Sequence, residues 1–214
     1  MILIASGSYV VSSLVNELGR IPPSFLPLGN KCLYEYQIDI LKALEQDIYI
    51  SVPDSYIVSQ FDVKRLQELS VKIIKVPDGI SLGSSIVYSW LSTGKKYKRL
   101  VLMFGDTLFS DINLSECLSV SSFSVHPNKG LYDRAKLESI TDGDENTNNQ
   151  FVEDNSLIIS GFFSFQEPHK LMQGIINNSN NFISGLVYYY KNNDVFINRT
   201  GRWYDFGHVH SFFP

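Results

Sequence analysis

The sequence predicts an α/β protein with a mostly parallel central sheet and helices on both faces. A small antiparallel β addition is expected in the second half. Three observations carry this. Short apolar runs alternate with amphipathic stretches in the order β-α-β-α-β-α-β over the first hundred residues. The run Leu100–Phe104 is apolar throughout and reads as the fourth strand. After it, polar turns divide shorter strand-like runs, so the pattern changes character.

The elements follow in order. Ile2–Ala5 reads as a buried strand. Residues 33–44 place Leu33, Tyr36, Ile40, Leu41 and Leu44 at helical spacing. Residues 48–52 read as a strand stopped by Pro53-Asp54. Residues 58–69 are helical, with Val58, Phe61, Val63, Leu66 and Leu69 as the apolar set. Val71–Val76 is a third strand, stopped by Pro77-Asp78-Gly79, and residues 86–91 sit in a helix after Gly83-Ser84-Ser85. In the second half, residues 119–125 and Leu157–Phe165 are strand-like, with a polar loop at 141–150 between them. Residues 169–176 fit a short helix and 177–181 a polar loop. Residues 186–190 and 195–198 read as strands joined by a hairpin-type turn at Asn192-Asn193-Asp194.

The 214 residues suit one α/β domain, and neither a repeat nor a clean linker divides them, so 1–214 is read as a single domain. Apolar residues make up 44%, enough for a sizeable core. A net charge of −4 gives no broad attraction for a polyanion, which argues against nucleic acid and leaves room for a small phosphorylated ligand. Cys32 and Cys117 lie far apart without metal-ligand spacing, as in a reduced, cytoplasmic-type protein. The N-terminus has no basic n-region, and no apolar run nears the roughly 18 residues of a membrane span. An aromatic content of 13% is compatible with a homo-oligomeric interface without requiring one.

Five segments could carry chemistry. In an open α/β sheet, ligands bind beyond the carboxyl ends of the strands. The turn after the first strand, Ala5-Ser6-Gly7-Ser8, is either an ordinary βα turn or a place where backbone N–H groups approach a phosphate. The stiff, Pro-rich segment 22–31 ends in Lys31, a cation before a helix start; it is either solvated or paired with an anionic ligand. Gly83 and Ser84 open a helix, where capping and hydrogen bonding to a base or ribose are both open. Asp106 follows an apolar strand and a glycine, as a turn former or a functional acid. Asp205 lies among Trp203, Tyr204 and Phe206, whose rings either shield it from water or simply pack. His208 either contacts phosphate or a sugar hydroxyl, or closes a turn. Two such carboxylates can share a divalent cation, and that suggests phosphate chemistry.

The order of these segments resembles the sugar-phosphate nucleotidyltransferase family, which makes NDP-sugars and related activated alcohols. Leu26-Pro27-Leu28-Gly29-Asn30-Lys31-Cys32-Leu33 is similar to the family's Leu-Pro-Val-Gly-Gly-Lys-Pro-Leu. Leu82-Gly83-Ser84-Ser85 resembles its base-recognising Leu-Gly-Thr-Ala, and Gly105-Asp106-Thr107-Leu108-Phe109 its metal-holding Gly-Asp-Asn-Leu-Phe. Ile159-Ser160-Gly161-Phe162-Phe163-Ser164-Phe165 resembles its Asn-Ala-Gly-Ile-Tyr-x-Phe strand, which lines the sugar pocket. Trp203-Tyr204-Asp205-Phe206-Gly207-His208 resembles its Trp-x-Asp-x-Gly-Thr, which carries the second metal aspartate. The resemblance covers nearly the whole chain.

The resemblance implies a Rossmann-like three-layer sandwich that transfers an NMP from an NTP to a sugar phosphate or related phosphorylated alcohol. Pyrophosphate would leave, and the products would serve surface polysaccharide or glycoconjugate synthesis. It implies Mg²⁺ or Mn²⁺ held by Asp106 and Asp205, with Lys31 and Arg20 stabilising phosphate charge. Ala5, Ser6, Gly7, Ser8, Gly83 and Ser84 would bind nucleotide, and Gly161, Phe162 and His208 would serve the acceptor. Family members usually continue past the second aspartate, so a further C-terminal domain is compatible with this chain. Two departures stand out. The family's Gly-x-Gly-x-Arg is replaced by Gly7-Ser8-Tyr9-Val10-Val11, and Pro23 stands where its Pro-Lys lysine falls. This fits a branch that grips triphosphate differently, and equally a silent module that binds nucleotide or sugar phosphate. A metal-dependent glycosyltransferase is a third reading, weakened by the absence of Asp-x-Asp after Asp106.

Overall fold

The computed structural model describes residues 1–110, 117–122, 157–199 and 203–212. Seven strands form the central sheet: β1 (Ile2–Ala5), β4 (Ile48–Pro53), β5 (Val71–Val76), β6 (Leu100–Phe104), β8 (Cys117–Ser122), β9 (Leu157–Phe165) and β10 (Phe196–Arg199). Their spatial order is β5-β4-β1-β6-β9-β8-β10. β5, β4, β1 and β6 pair in parallel, β9 runs antiparallel to both β6 and β8, and β10 returns parallel to β8. The expected mostly parallel sheet is therefore present. Two short antiparallel ribbons accompany it: β2 (Pro27–Leu28) with β3 (Lys31–Cys32), and β7 (Thr107–Phe109) with β11 (Trp203–Asp205).

Alternation along the strands divides the core into two layers. Ile2, Ile4, Val101 and Met103 face α2 (Leu33–Leu41) and α3 (Gln60–Glu68), where they meet Tyr34, Ile38, Leu41 and Leu66. Leu3, Leu100 and Leu102 face the other way, onto Ile86 of α4 (Leu82–Ser92), Leu171 and Ile175 of α5 (Pro168–Asn177), and Leu186 and Tyr189 of α6 (Phe182–Lys191). A third cluster joins Leu14 of α1 (Ser12–Leu18) to Leu26, Leu33 and Phe206, with Val209 and Phe212 of α7 (Val209–Phe212) against it. Among the described residues, no helix is long and apolar enough to cross a membrane.

The helix expected over 33–44 is α2 followed by a 3-10 turn at Lys42–Leu44. The helix expected over 58–69 begins at Gln60, because Ser59 caps it by accepting the Asp62 N–H. Phe61 of its apolar set points outward, 74% exposed. The strand expected over 186–190 and the hairpin do not form, while the strand expected over 195–198 is present as β10. Residues 182–191 are helical, with Phe182, Leu186 and Tyr189 buried on one face and Asn181 capping the Ser184 N–H. The following strand, β10, pairs in parallel with β8 and has no hairpin partner in α6. Of the strand expected over 119–125, residues 119–122 belong to β8, while 123–125 and the loop at 141–150 lie outside the described residues.

Candidate active site at the carboxyl edge of the sheet

The chain passes from β1 outward to β4 and β5, then returns to place β6 on the opposite flank of β1. This reversal opens a crevice beyond the carboxyl ends of β1 and β6, the place where open α/β sheets bind ligands. The two turns that border it are in direct contact. Gly105 N–H donates to the Ala5 carbonyl at 2.8 Å. A Cβ at Gly105 would meet Ser6 Cβ at 2.8 Å and Ser6 Oγ at 2.9 Å, so glycine is what lets the turns close up.

Asp106 lies in the turn between β6 and β7, and Asp205 ends β11. The β7–β11 register sets Asp205 opposite Thr107, the neighbour of Asp106. The Phe206 N–H donates to the Asp106 carbonyl at 2.7 Å, and the Gly207 N–H to Asp205 Oδ1 at 2.8 Å. Both carboxylates converge beside Gly207. The point a Cβ would occupy there is 2.8 Å from Asp106 Oδ2 and 3.0 Å from Asp205 Oδ1. Asp205 is 2% exposed, and its chain neighbours Trp203 and Phe206 pack in the α2-side core and the third cluster respectively. Tyr204 points outward. Two carboxylates are the hard oxygen donors that Mg²⁺ and Mn²⁺ take, though among the described residues no group of three acidic, His or Cys side chains forms a ready metal site.

The turn after β1 is a packed one. Ser6 is buried, its N–H donating to Ser51 Oγ at 3.1 Å. A Cβ at Gly7 would meet Ser85 Oγ at 2.5 Å and Val76 Cγ2 at 2.6 Å. Ala5 is half-buried and Ser8 is exposed. Arg20 lies on the β4–β5 side, its guanidinium carbon 4.3 Å from the Tyr9 ring centroid. Tyr9 and Ser55 share a 2.7 Å hydroxyl bond, and the Ser55 N–H donates to Asp78. The Ser55 hydroxyl and N–H hold the Asp78 carboxyl below the usual carboxylate range, with the Arg20 charge adding to them. Arg20 and Asp106 thus stand on opposite flanks of β1. Lys31 sits on β3, 3.7 Å from Asp39 and over the Tyr36 ring.

Gly83 and Ser84 are in the first turn of α4. Ser81 caps that helix by accepting the Ser84 N–H and donates its own hydroxyl to the Asn180 carbonyl. A Cβ at Gly83 would press on Asn180 and on Ile175. Beside them a cavity of about 360 Å³ opens between Gly83, Phe104, Ile159, Asn180 and Phe182. Its described walls carry no charged side chain. Gly161 lies on β9 with φ of 92°, a conformation that favours glycine. Phe162, expected to serve the acceptor, is turned into the opposite core layer against Phe109, and Phe104 and Phe182 are the aromatic residues that line the cavity. His208 is half-buried, and its carbonyl accepts the Phe212 N–H in α7.

No protein-family model and no curated protein sequence matches the chain. Solved structures do. A nucleoside-diphosphate-sugar pyrophosphorylase from Vibrio cholerae RC9 superposes with a TM-score of 0.67 at 12% identity, over 99% of this chain and 98% of the other. An inositol-1-phosphate CTP transferase from T. maritima gives 0.59 at 16% identity, over 98% and 89%. The CTP:phosphocholine cytidylyltransferase of Streptococcus pneumoniae gives 0.58 at 16%, over 99% and 94%. The chain has the sugar-phosphate nucleotidyltransferase fold.

Within this nucleotidyltransferase fold, sequence reasoning missed Gln37. Its amide nitrogen donates to the carbonyls of Phe104, Gly105 and Thr107 at 3.1, 3.1 and 2.8 Å. The signal was a polar residue four positions from both Leu33 and Leu41, on the buried face of α2. Ser24 was missed as well. Its hydroxyl donates to the Gly105 carbonyl at 3.1 Å.

Proposed function

We propose that this protein transfers a nucleoside monophosphate from a nucleoside triphosphate to a sugar phosphate or a related phosphorylated alcohol. The convergence of Asp106 and Asp205 beside Gly207, at the crevice where β1 and β6 end, is the observation that carries the reading. Asp106 and Asp205 would hold Mg²⁺ or Mn²⁺, which supplies charge neutralisation at the reacting phosphates. An oxygen of the acceptor phosphate attacks the α-phosphorus in line. The bond from that phosphorus to the oxygen bridging it to the β-phosphate breaks, and pyrophosphate leaves. The protein's share is positioning and charge.

The β1 turn and the α4 start border the nucleotide. Arg20, on the β4–β5 flank, and Lys31 supply cations for the phosphates. The neutral cavity beside Phe104 and Phe182 suits the uncharged, hydroxyl-bearing part of the acceptor. A pyrophosphate-release assay tests the reading, with each NTP against a panel of phosphorylated sugars and alcohols in Mg²⁺ or Mn²⁺. Asp106→Asn and Asp205→Asn should each lose at least about 100-fold in turnover with the fold retained. Full activity in both variants overturns it.

A second reading, a silent nucleotide-binding module, is favoured by one observation. The Ser6 N–H is used internally and Gly7 is pressed against Ser85 and Val76, in the turn where the family's phosphate grip belongs. Calorimetric NTP binding without pyrophosphate release for any acceptor would select it.

A further inference from the structure

The crevice is braced from below by a chain of buried polar groups. Ser51 Oγ donates to the Ile4 carbonyl and accepts the Ser6 N–H; Ser6 Oγ accepts the Ser24 N–H at 3.0 Å; Ser24 Oγ donates to the Gly105 carbonyl. Gln37 closes the chain from the opposite side through the three carbonyls of residues 104, 105 and 107. Ser6, Ser24, Gln37 and Ser51 are each at most 1% exposed. Carbonyls buried in a turn cost free energy unless a donor reaches them. Here donors from α2 and the Pro-rich segment reach the two residues before Asp106 and the one after it. The turn that presents Asp106 is thereby fixed to α2, and its distance from the β1 turn is fixed by the serines.

We infer that Gln37 is a positioning residue for Asp106, and that Ser24 assists it by coupling the Asp106 turn to the β1 turn. The inference rests on the nucleotidyl-transfer reading for its catalytic consequence and on geometry alone for its structural one. When the amide is lost, the turn relaxes, the Asp106 carbonyl moves away from the Phe206 N–H, and the two carboxylates no longer meet at one point.

The test uses Gln37→Met, which keeps the length and loses the donors, Ser24→Ala, which removes one bond from the same turn, and Leu66→Ala, a buried core change on α3, as a stability control. Two quantities are measured on the folded proteins: hydrogen exchange of the Phe206 amide, and Mn²⁺ affinity by electron paramagnetic resonance. Gln37→Met and Ser24→Ala should expose the Phe206 amide to faster exchange, and Gln37→Met should weaken Mn²⁺ by about 10- to 100-fold. Leu66→Ala should leave both unchanged. Should Gln37→Met fail to fold, Ser24→Ala decides. Unchanged Phe206 exchange in the folded variants, or the same change in Leu66→Ala, overturns the positioning role. A wild-type protein that binds no Mn²⁺ at millimolar concentration overturns the metal-pair reading instead, and the exchange data still judge Gln37.

Discussion

The backbone N–H of Phe206 donates to the carbonyl oxygen of Asp106 at 2.7 Å. This bond joins two turns about a hundred residues apart in the chain. It places the second carboxylate beside the first through the backbone. Gly207 lies against both acids.

Gly207→Ala therefore tests the site without touching either acid. The new methyl would lie 2.8 Å from Asp106 Oδ2 and 3.0 Å from Asp205 Oδ1, so one carboxylate must shift. Pyrophosphate release should fall about 100-fold, because displacements of this size misalign reacting groups. The melting midpoint should move by less than about 4 °C.

Metal binding should be visible as stability. A ligand at a hundred times its dissociation constant stabilises the folded state by about 2.7 kcal/mol. For a chain of this size that raises the melting midpoint by about 5–10 °C. Mg²⁺ should produce such a rise in the wild type and EDTA should reverse it. Asp205→Asn should show a flat response in the same scan.

Gly83→Ala should act on stability first. A Cβ there would sit 2.9 Å from the Asn180 carbonyl carbon and from Ile175 Cγ2, with the Asn180 oxygen nearer still. Backbone of a tight turn yields little, so the substitution should cost about 1–3 kcal/mol. Urea unfolding would show this as a lower midpoint with an unchanged slope.

Asp47, at the opposite end of the sheet, should set part of the acid sensitivity. Lys95 Nζ donates to it at 2.9 Å and the Tyr97 hydroxyl at 2.7 Å, and these two bonds hold its carboxyl well below the usual carboxylate range. The unfolded chain then binds the proton more readily, so this contribution is full above about pH 4 and fades as pH falls toward the folded value. The group is a third exposed, so the effect is modest. Asp47→Asn should melt below the wild type at pH 6, and the gap should narrow at pH 3.

The sequence disclosed what is local. Ile48–Pro53 is a largely apolar run and Val71–Val76 a β-branched one interrupted by Lys72 and Lys75; both have Pro-Asp signals at their ends, and the structure places strands there. The positions of Asp106 and Asp205 were legible because the first follows an apolar strand and Gly105, and the second ends β11 two residues before Gly207. The misreading of 186–190 has a physical source. Val187, Tyr188, Tyr189 and Tyr190 are residue types that favour strands, and only packing of Phe182, Leu186 and Tyr189 against the sheet decides for helix. Gln37 was illegible for a related reason. A glutamine inside a helix is unremarkable until the turn it serves, nearly seventy residues later, is known.

The β7–β11 ribbon has a consequence for how the protein is made. Asp106 leaves the ribosome about a hundred residues before Asp205 does. At about 5–20 residues per second, the growing chain spends about 5–20 s with one carboxylate in place and the other not yet synthesised. The sheet around β1 can assemble during that interval, since β4, β5 and β6 all precede Asp106. Pairing of β11 with β7 is then a late event in biosynthesis. Until it occurs, the nascent protein carries its scaffold and only one of the two acids.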